Sequence, residues 1–243
     1  MDDRMRTWPL LEVVEHNPGL KSFYFETDSE VQPGQFIMLW LPGVDEKPFS
    51  VSDVDDGRLE VTVKAVGPFT RKLMECRPGE RLGLRGPFGR PFAPAEGPPP
   101  LLVGGGCGVA PLRFLHRHLE RRGLSSTFLV GVRTAADLMF REEYAGGLAM
   151  VVTDDGSLGE RRLLPDKVGE LLANQTYGTL CAAGPEVVLS TLKKLAESRG
   201  IPSELSYERH MKCAVGLCGE CCLEDNGLRL CVEGPVLRHP LPR

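Results

Sequence analysis

Seven residues, Pro94-Ala95-Glu96-Gly97-Pro98-Pro99-Pro100, set the firmest limit on how this chain folds. Four of the seven are proline. Each proline lacks a backbone N–H and holds φ near roughly −65°, so the run can neither enter the interior of a sheet nor continue a helix. One layer of secondary structure cannot pass through it, and the hydrophobic period differs on its two sides. At 243 residues the chain has room for two modest domains. The run therefore reads as the boundary between a first domain, 1–97, and a second, 98–207.

Upstream, short β-rich segments at 20–25, 36–41, 49–53, 59–66 and 81–84 are separated by Pro33-Gly34, Pro42-Gly43, Asp56-Gly57 and Pro78-Gly79. This spacing predicts a small antiparallel β-barrel. Downstream, Leu101-Leu102-Val103 is an unbroken apolar run, as in a strand buried on both faces, and it passes through Gly104-Gly105-Gly106-Cys107-Gly108 into a helical pattern. In that helix Pro111 sits near the first turn, Leu112, Leu115 and Leu119 form one stripe, and Gly123 stops it. Further buried strands are expected at 128–130, 150–152 and 179–182. Helical patterns lie between them, including a capping-box-like Thr134-Ala135-Ala136-Asp137 and the stretch 186–198. Strand and helix alternation of this kind predicts a doubly wound parallel α/β sheet, so the class is α+β and α/β multidomain.

From Glu208 onward neither period holds, and five of the chain's eight cysteines crowd into nineteen residues. Cys213, Cys218 and Cys221 form C-x4-C-x2-C, and Cys231 follows after nine further residues. This is the plant-type [2Fe-2S] spacing, in which a tight loop presents three thiolates and a distant fourth completes the set. Ala214, Gly216 and Gly219 are small enough to let backbone N–H groups crowd around sulfur. Structural zinc is the competing reading, although it normally takes paired C-x2-4-C knuckles and only one is present here. A disulfide pair is the other, and it needs an oxidising compartment. The opening Met1-Asp2-Asp3-Arg4 is acidic with no apolar run behind it, and nowhere do 18 apolar residues follow one another. The chain thus reads as cytoplasmic, with no membrane partner. A net charge of −4 argues against a nucleic-acid partner, which a basic surface would meet. Residues 208–243 are read as a cluster module, and Cys76 and Cys222 as small buried hydrophobes.

Taken together, the chain resembles the ferredoxin-reductase-like flavoproteins and, among them, the electron transfer subunits of type B dihydroorotate dehydrogenase. Lys47-Pro48-Phe49-Ser50, preceded by Pro33-Gly34-Gln35-Phe36, is similar to the family's flavin motif. Gly67-Pro68-Phe69-Thr70 resembles its flavin-pyrophosphate loop, and Gly86-Pro87-Phe88-Gly89 its domain-closing turn. Gly104 to Pro111 resembles the nicotinamide signature. Glu208 to Cys213 and Cys231 to Val236 resemble the subunit's cluster signature.

The resemblance implies FAD on the barrel, NAD(H) on the α/β domain and a [2Fe-2S] cluster on Cys213, Cys218, Cys221 and Cys231. Phe49 is expected to pack on the flavin ring, Ser50 to hydrogen-bond near its reactive nitrogen, and Lys47 to pair with phosphate. Thr70 is expected at the N-terminus of a helix over 71–76, where free N–H groups and the helix dipole favour an anion beside Gly67. Standing alone, Lys47 to Ser50 also read as a plain edge strand. Gly104, Gly105, Gly106, Cys107 and Gly108 are expected to let pyrophosphate approach a helix start. Asp154 is expected near the adenosine ribose, favouring NADH over NADPH by repelling a 2′-phosphate, and an exposed acidic turn is the alternative.

The implied reaction is hydride transfer from NADH to FAD in the cleft between the two domains, then single-electron transfer to the cluster. From there electrons pass to the FMN of a separate dihydroorotate dehydrogenase catalytic subunit of pyrimidine biosynthesis, in a heterotetramer. In the biosynthetic direction they run the other way, from dihydroorotate to NAD. No catalytic side chain of its own is expected, since the cofactors carry the chemistry. The five scattered histidines show no metal-ligand spacing.

Two rivals remain: a related reductase subunit serving a sulfhydrogenase or a ferredoxin:NAD(P) oxidoreductase, and a non-enzymatic zinc protein. Three departures from the family pattern stand out. Lys47 replaces arginine, Ala183-Gly184-Pro185 replaces C-G-P with Cys181 two residues upstream, and Ala214 follows Cys213 where glycine is usual.

Overall fold

A computed structural model describes residues 4–224 and 226–240. The chain divides into two compact units, 1–91 with 208–235, and 92–207 with 236–243.

The first unit is a seven-stranded antiparallel sheet. Its elements are β1 (Arg6–Asn17), β2 (Leu20–Glu26), β3 (Phe36–Leu41), β4 (Asp45–Ser50), β5 (Asp53–Asp55), β6 (Arg58–Lys64), helix α1 (Pro68–Leu73) and β7 (Arg81–Phe88). The strand order is β4-β3-β7-β1-β2-β6-β5. Long β1 serves two partners: Arg6 to Pro9 pair with β7 and Leu10 to Asn17 with β2, with a register shift between Leu10 and Glu12. Such a shift adds twist and bends the strand, which lets one chain segment turn the sheet over its own core. That core holds Leu10, Phe23, Phe25, Met38, Leu39, Leu73, Leu82 and Phe88, each almost fully buried.

The second unit holds β8 (Leu101–Gly105), α2 (Val109–Arg121), β9 (Thr127–Val132), α3 (Arg141–Ala145), β10 (Met150–Thr153) and β11 (Glu160–Arg161). It continues with α4 (Leu164–Asn174), β12 (Leu180–Ala183), α5 (Glu186–Ser198), β13 (Ser203–Ser206) and β14 (Val236–His239). The sheet runs β11-β10-β9-β8-β12-β13-β14, all parallel except the β13–β14 pair. Strand order reverses between β8 and β12. In open α/β sheets the ligand crevice lies at that reversal, outside the strands' C-terminal ends.

Several expectations shift. The proline run lies inside the second unit, because a run without N–H donors still carries carbonyls: Gly178 N–H donates to Pro99 O and Thr127 N–H to Pro100 O, while Ala95 N–H donates to Thr179 Oγ1. The units part at 91/92 instead of 97/98. Residues 208–235 fold with the first unit, joined by Arg90 N–H to Gly234 O at 2.5 Å, whereas 236–239 form an edge strand of the second. Gly89 permits the first of these junctions: a Cβ there would lie 2.5 Å from Pro235 Cδ and 2.8 Å from Gly234 O.

The strand expected at 49–53 is β4, centred earlier. The helix expected at 71–76 starts three residues sooner, at Pro68, since proline fits a first helical position that has no use for its N–H. Thr134 begins only a three-residue 3-10 turn, Ala135–Asp137. No helix among the described residues is long and apolar enough to cross a membrane.

Candidate cofactor and cluster sites

The flavin-like motif occupies β4, an edge strand, in register with β3: Lys47 faces Leu39, Phe49 faces Ile37 and Ser50 faces Phe36. An edge strand presents backbone groups that no neighbouring strand takes, which suits the polar rim of a flat heterocycle. Phe49 and Phe69 stack with ring centroids 6.0 Å apart, so the motif and the Gly67 loop meet through their aromatic residues. Lys47 Nζ lies 2.5 Å from Asp45 Oδ2. That ammonium, followed by the Glu46 N–H, holds the Asp45 carboxyl below the usual carboxylate range.

Thr70 is the third residue of α1, and its hydroxyl accepts the N–H groups of Val66 and Gly67, each at 2.9 Å. It therefore shapes the loop from within. Gln35 Nε2 donates to Gly89 O at 3.0 Å, tying the segment before β3 to the turn after β7.

In the second unit the five residues 104–108 have distinct roles. A Cβ on Gly104 would sit 2.8 Å from Val109 Cα, and one on Gly108 only 2.3 Å from the Ala183 carbonyl atoms. These two glycines let α2 close on β8 and on the end of β12. Gly106 takes φ +55° and opens onto free space, and Cys107 beside it is exposed. Gly106 and Cys107 are thus the open positions of the five, while Gly105 lies against Pro185 and Leu164. Asp154 is exposed immediately after β10, and Asp155 forms the turn, accepting the Ser157 N–H at 2.9 Å and its hydroxyl at 2.6 Å.

Cys181 does not replace the cysteine missing at Ala183. It is fully buried, and burial, then the Glu204 carboxylate, pushes its thiol well up, which makes it inert at neutral pH. Cys76 is likewise buried, its thiol pushed up to about 11 by burial and by Glu80. His116 packs on Phe128 and bonds Ser126 at 2.7 Å, a core histidine.

The cysteine loop has no regular structure because it turns on left-handed residues: Ala214 at φ +61°, Gly216 at +78° and Gly219 at +74°. These turns aim N–H groups inward. Leu217 N–H lies 3.4 Å and Cys218 N–H 3.5 Å from Cys213 Sγ, and Cys231 N–H lies 3.4 Å from Cys221 Sγ. The Cys218 thiol bears on that of Cys213, and the Cys221 thiol, with Cys213 a lesser influence, on that of Cys231.

Among the described residues no three His, Cys, Asp or Glu side chains converge on a single-ion point. Four thiols suit a two-iron cluster that takes two cysteines per iron. Burial alone would raise the Cys213 thiol, but the N–H groups of Cys218, Val215 and Leu217 outweigh it and bring it down to about 6. Burial and the Cys221 thiol push Cys231 up to about 12. The loop therefore fits a group that needs thiolates and N–H donors together.

Four further residues hold this loop, and of them only Glu233 falls inside a motif that the sequence singles out. Arg85 on β7 grips Glu46 on β4 with Nε–Oε1 at 2.6 Å and a second nitrogen at 2.9 Å, and donates to Cys213 O at 2.8 Å and Lys212 O at 3.2 Å. Arg229 donates to Gly216 O at 3.0 Å and to both carboxylate oxygens of Glu233. The second pair has a local signal, four residues apart. The first has none, its members lying 39 apart.

The description of the iron–sulfur cluster binding domain of dihydroorotate dehydrogenase B matches residues 208–239. A protein of Methanothermobacter thermautotrophicus, named a probable dihydroorotate dehydrogenase B (NAD(+)), electron transfer subunit, is 42% identical over 96% of this chain and 90% of its own. Its namesake in Methanocaldococcus jannaschii is 38% identical over 93% of this chain and 86% of its own. Among solved structures, a chain of an NADH-dependent reduced ferredoxin-NADP oxidoreductase superposes with TM-score 0.85 at 26% identity, covering 95% of this chain and 87% of that one. The ferredoxin reductase of carbazole 1,9a-dioxygenase gives 0.70 at 25% identity, over 82% and 66%.

Proposed function

The chain belongs to the family of dihydroorotate dehydrogenase B electron transfer subunits, and on that premise we propose that it moves electrons between NAD(H) and a separate catalytic subunit by way of FAD and a [2Fe-2S] cluster. The observation that carries this reading is the set of backbone N–H groups turned onto cysteine sulfur, those of Leu217 and Cys218 onto Cys213 Sγ and that of Cys231 onto Cys221 Sγ. Bound FAD splits the two electrons of a hydride into single electrons that an iron–sulfur cluster can take.

The chain's own residues bind and orient. Cys213, Cys218, Cys221 and Cys231 would hold the cluster, and the N–H groups of Val215, Leu217 and Cys218 would stabilise negative charge on the Cys213 sulfur. Phe49 offers the flavin an apolar face backed by Phe69, and Ser50 hydrogen-bonds its polar edge. Lys47, paired with Asp45, would hold a diphosphate oxygen beside Gly67, where Thr70 fixes the loop. Gly106 and Cys107 receive the pyrophosphate of NAD, next to Gly105 and above the tight Gly104 and Gly108 junctions. Asp154 accepts the ribose hydroxyls, which favours NADH over NADPH.

The catalytic partner carries FMN, interconverts dihydroorotate and orotate, and forms a heterotetramer with this subunit in the cytoplasm. Anaerobic NADH addition to the purified full chain tests the reading. The protein is expected to be coloured by flavin and iron–sulfur absorbance, and NADH is expected to bleach both. A colourless protein, or one that NADH leaves unbleached, refutes it. A second partner class, a ferredoxin, is favoured by the 0.85 superposition on a ferredoxin-NADP oxidoreductase chain. Reoxidation by orotate only in the presence of the dihydroorotate dehydrogenase catalytic subunit decides against it.

A further inference from the structure

The Arg85 guanidinium touches both the flavin-motif strand and the backbone of a cluster cysteine. Its forked contact with Glu46 lies one residue before Lys47 on β4, and its third nitrogen reaches the carbonyl of Cys213 at 2.8 Å. The side chain is 12% exposed, and its guanidinium carbon Cζ lies 5.4 Å from the Phe88 ring centroid. Glu46 is 22% exposed. Charges this sheltered act on their neighbours with little screening by solvent.

We propose that Arg85 and Glu46 form a positioning pair that fixes the first cluster cysteine to the flavin-motif strand and sets the cluster's reduction potential through their opposed charges. This rests on the electron-transfer reading above. Reduction adds one negative charge to the cluster, so a nearby cation favours the reduced form and a nearby anion disfavours it. Each removal changes the field at Cys213 by that one charge, so the two removals must act with opposite sign. A pair that served only to brace the loop would give both variants the same loosening. Arg85 also contributes geometry: its planar fork spans a carboxylate and two carbonyls at once, which an ammonium cannot reproduce.

The test uses the full-length chain, loaded with flavin and cluster, with redox titration of the cluster followed by electron paramagnetic resonance. Arg85→Gln is expected to lower the midpoint potential and Glu46→Gln to raise it. Arg85→Lys is expected to stay near the native potential while broadening the resonance, since the charge persists and the fork is lost. If both neutral variants move the potential in one direction, or neither moves it, the proposal fails. Should Arg85→Gln not retain a cluster, Glu46→Gln, which keeps shape and volume, decides alone: a raised potential supports the pair, and an unchanged or lowered one overturns it. A native chain that takes up no cluster would refute the electron-transfer reading itself, a result distinct from native loading with unshifted variants.

Discussion

Adding one methyl group at Gly108 tests the packing at the strand-order reversal. Gly108 has φ −64°, a value any residue adopts, so alanine brings no backbone strain there. On conformational grounds alone, Gly→Ala at such a position stabilises a protein by about 0.4–1 kcal/mol, through the unfolded state. The structure reverses that sign. The new Cβ would lie 2.3 Å from both carbonyl atoms of Ala183 and 2.5 Å from Gly184 N, all backbone, whereas ordinary contact begins at 3.4 Å. The end of β12 or the start of α2 has to move by about 1 Å, and overpacking of this kind costs about 1–3 kcal/mol.

Gly169 supplies the control. It lies inside α4 with nothing within 4 Å of its ideal Cβ, so Gly169→Ala gains about 0.5–1 kcal/mol. Gly106→Ala separates stability from ligand binding. It carries a left-handed strain of about 1–2 kcal/mol and projects its methyl into open space where pyrophosphate is proposed to sit. Urea unfolding followed by circular dichroism orders the three as Gly169→Ala above the native chain and the other two below it. NADH titration is expected to weaken most in Gly106→Ala. A Gly108→Ala protein as stable as Gly169→Ala would refute the close approach of α2 to β12.

In the cluster loop, Cys218→Ala is expected to abolish the iron–sulfur signal while flavin absorbance persists, and Cys222→Ala to keep both; visible spectra of the two purified variants decide. Ala214 is buried at φ +61°, so Ala214→Gly is expected within about 1 kcal/mol of the native chain, whereas Ala214→Val, branched at Cβ, costs more than about 2 kcal/mol, read as loss of cluster on mild urea treatment. Thr70→Val removes the acceptor of two loop N–H groups and is expected to destabilise the first unit by about 1 kcal/mol in urea unfolding, with Thr70→Ser largely restoring it. Burial lowers the His116 pKa below its ordinary 6.5. The unfolded chain then binds the proton first, so native stability falls relative to His116→Gln as pH drops below 6.5, and a pH-independent difference between the two would refute the buried neutral ring.

How far the sequence could be read depends on the range of the forces at each place. The apolar runs at 101–103, 128–130 and 150–152 became β8, β9 and β10, because a strand buried on both faces needs only its own residues to declare it. Helix α5 spans 186–198, as its period indicates. β1 escaped notice: Pro9, Glu12 and Glu15 interrupt its alternation, and pairing with two different strands sustains it. β14 also escaped, since a four-residue edge strand is defined by β13 and not by its own composition. The proline run marks a break in period yet lies inside the second unit, because its carbonyl partners come from residues 127 and 178.

The same distinction separates the cluster's ligands from what holds them. Three thiols at C-x4-C-x2-C spacing and a fourth after nine further residues are local information, since loop length dictates which sulfurs can meet. The scaffold that holds them is not local. Cys213 depends on Arg85, which depends on Glu46, and each step crosses from one part of the chain to another. Gly216 depends on Arg229 and so on Glu233. Ala214 shows the consequence. A residue with a Cβ persists at φ +61°, where glycine would be at ease, between a Cys213 carbonyl held by Arg85 and a Gly216 carbonyl held by Arg229. A loop without helix or strand thus gets its rigidity from two arginines, and the placement of its thiols rests on contacts that no spacing rule contains.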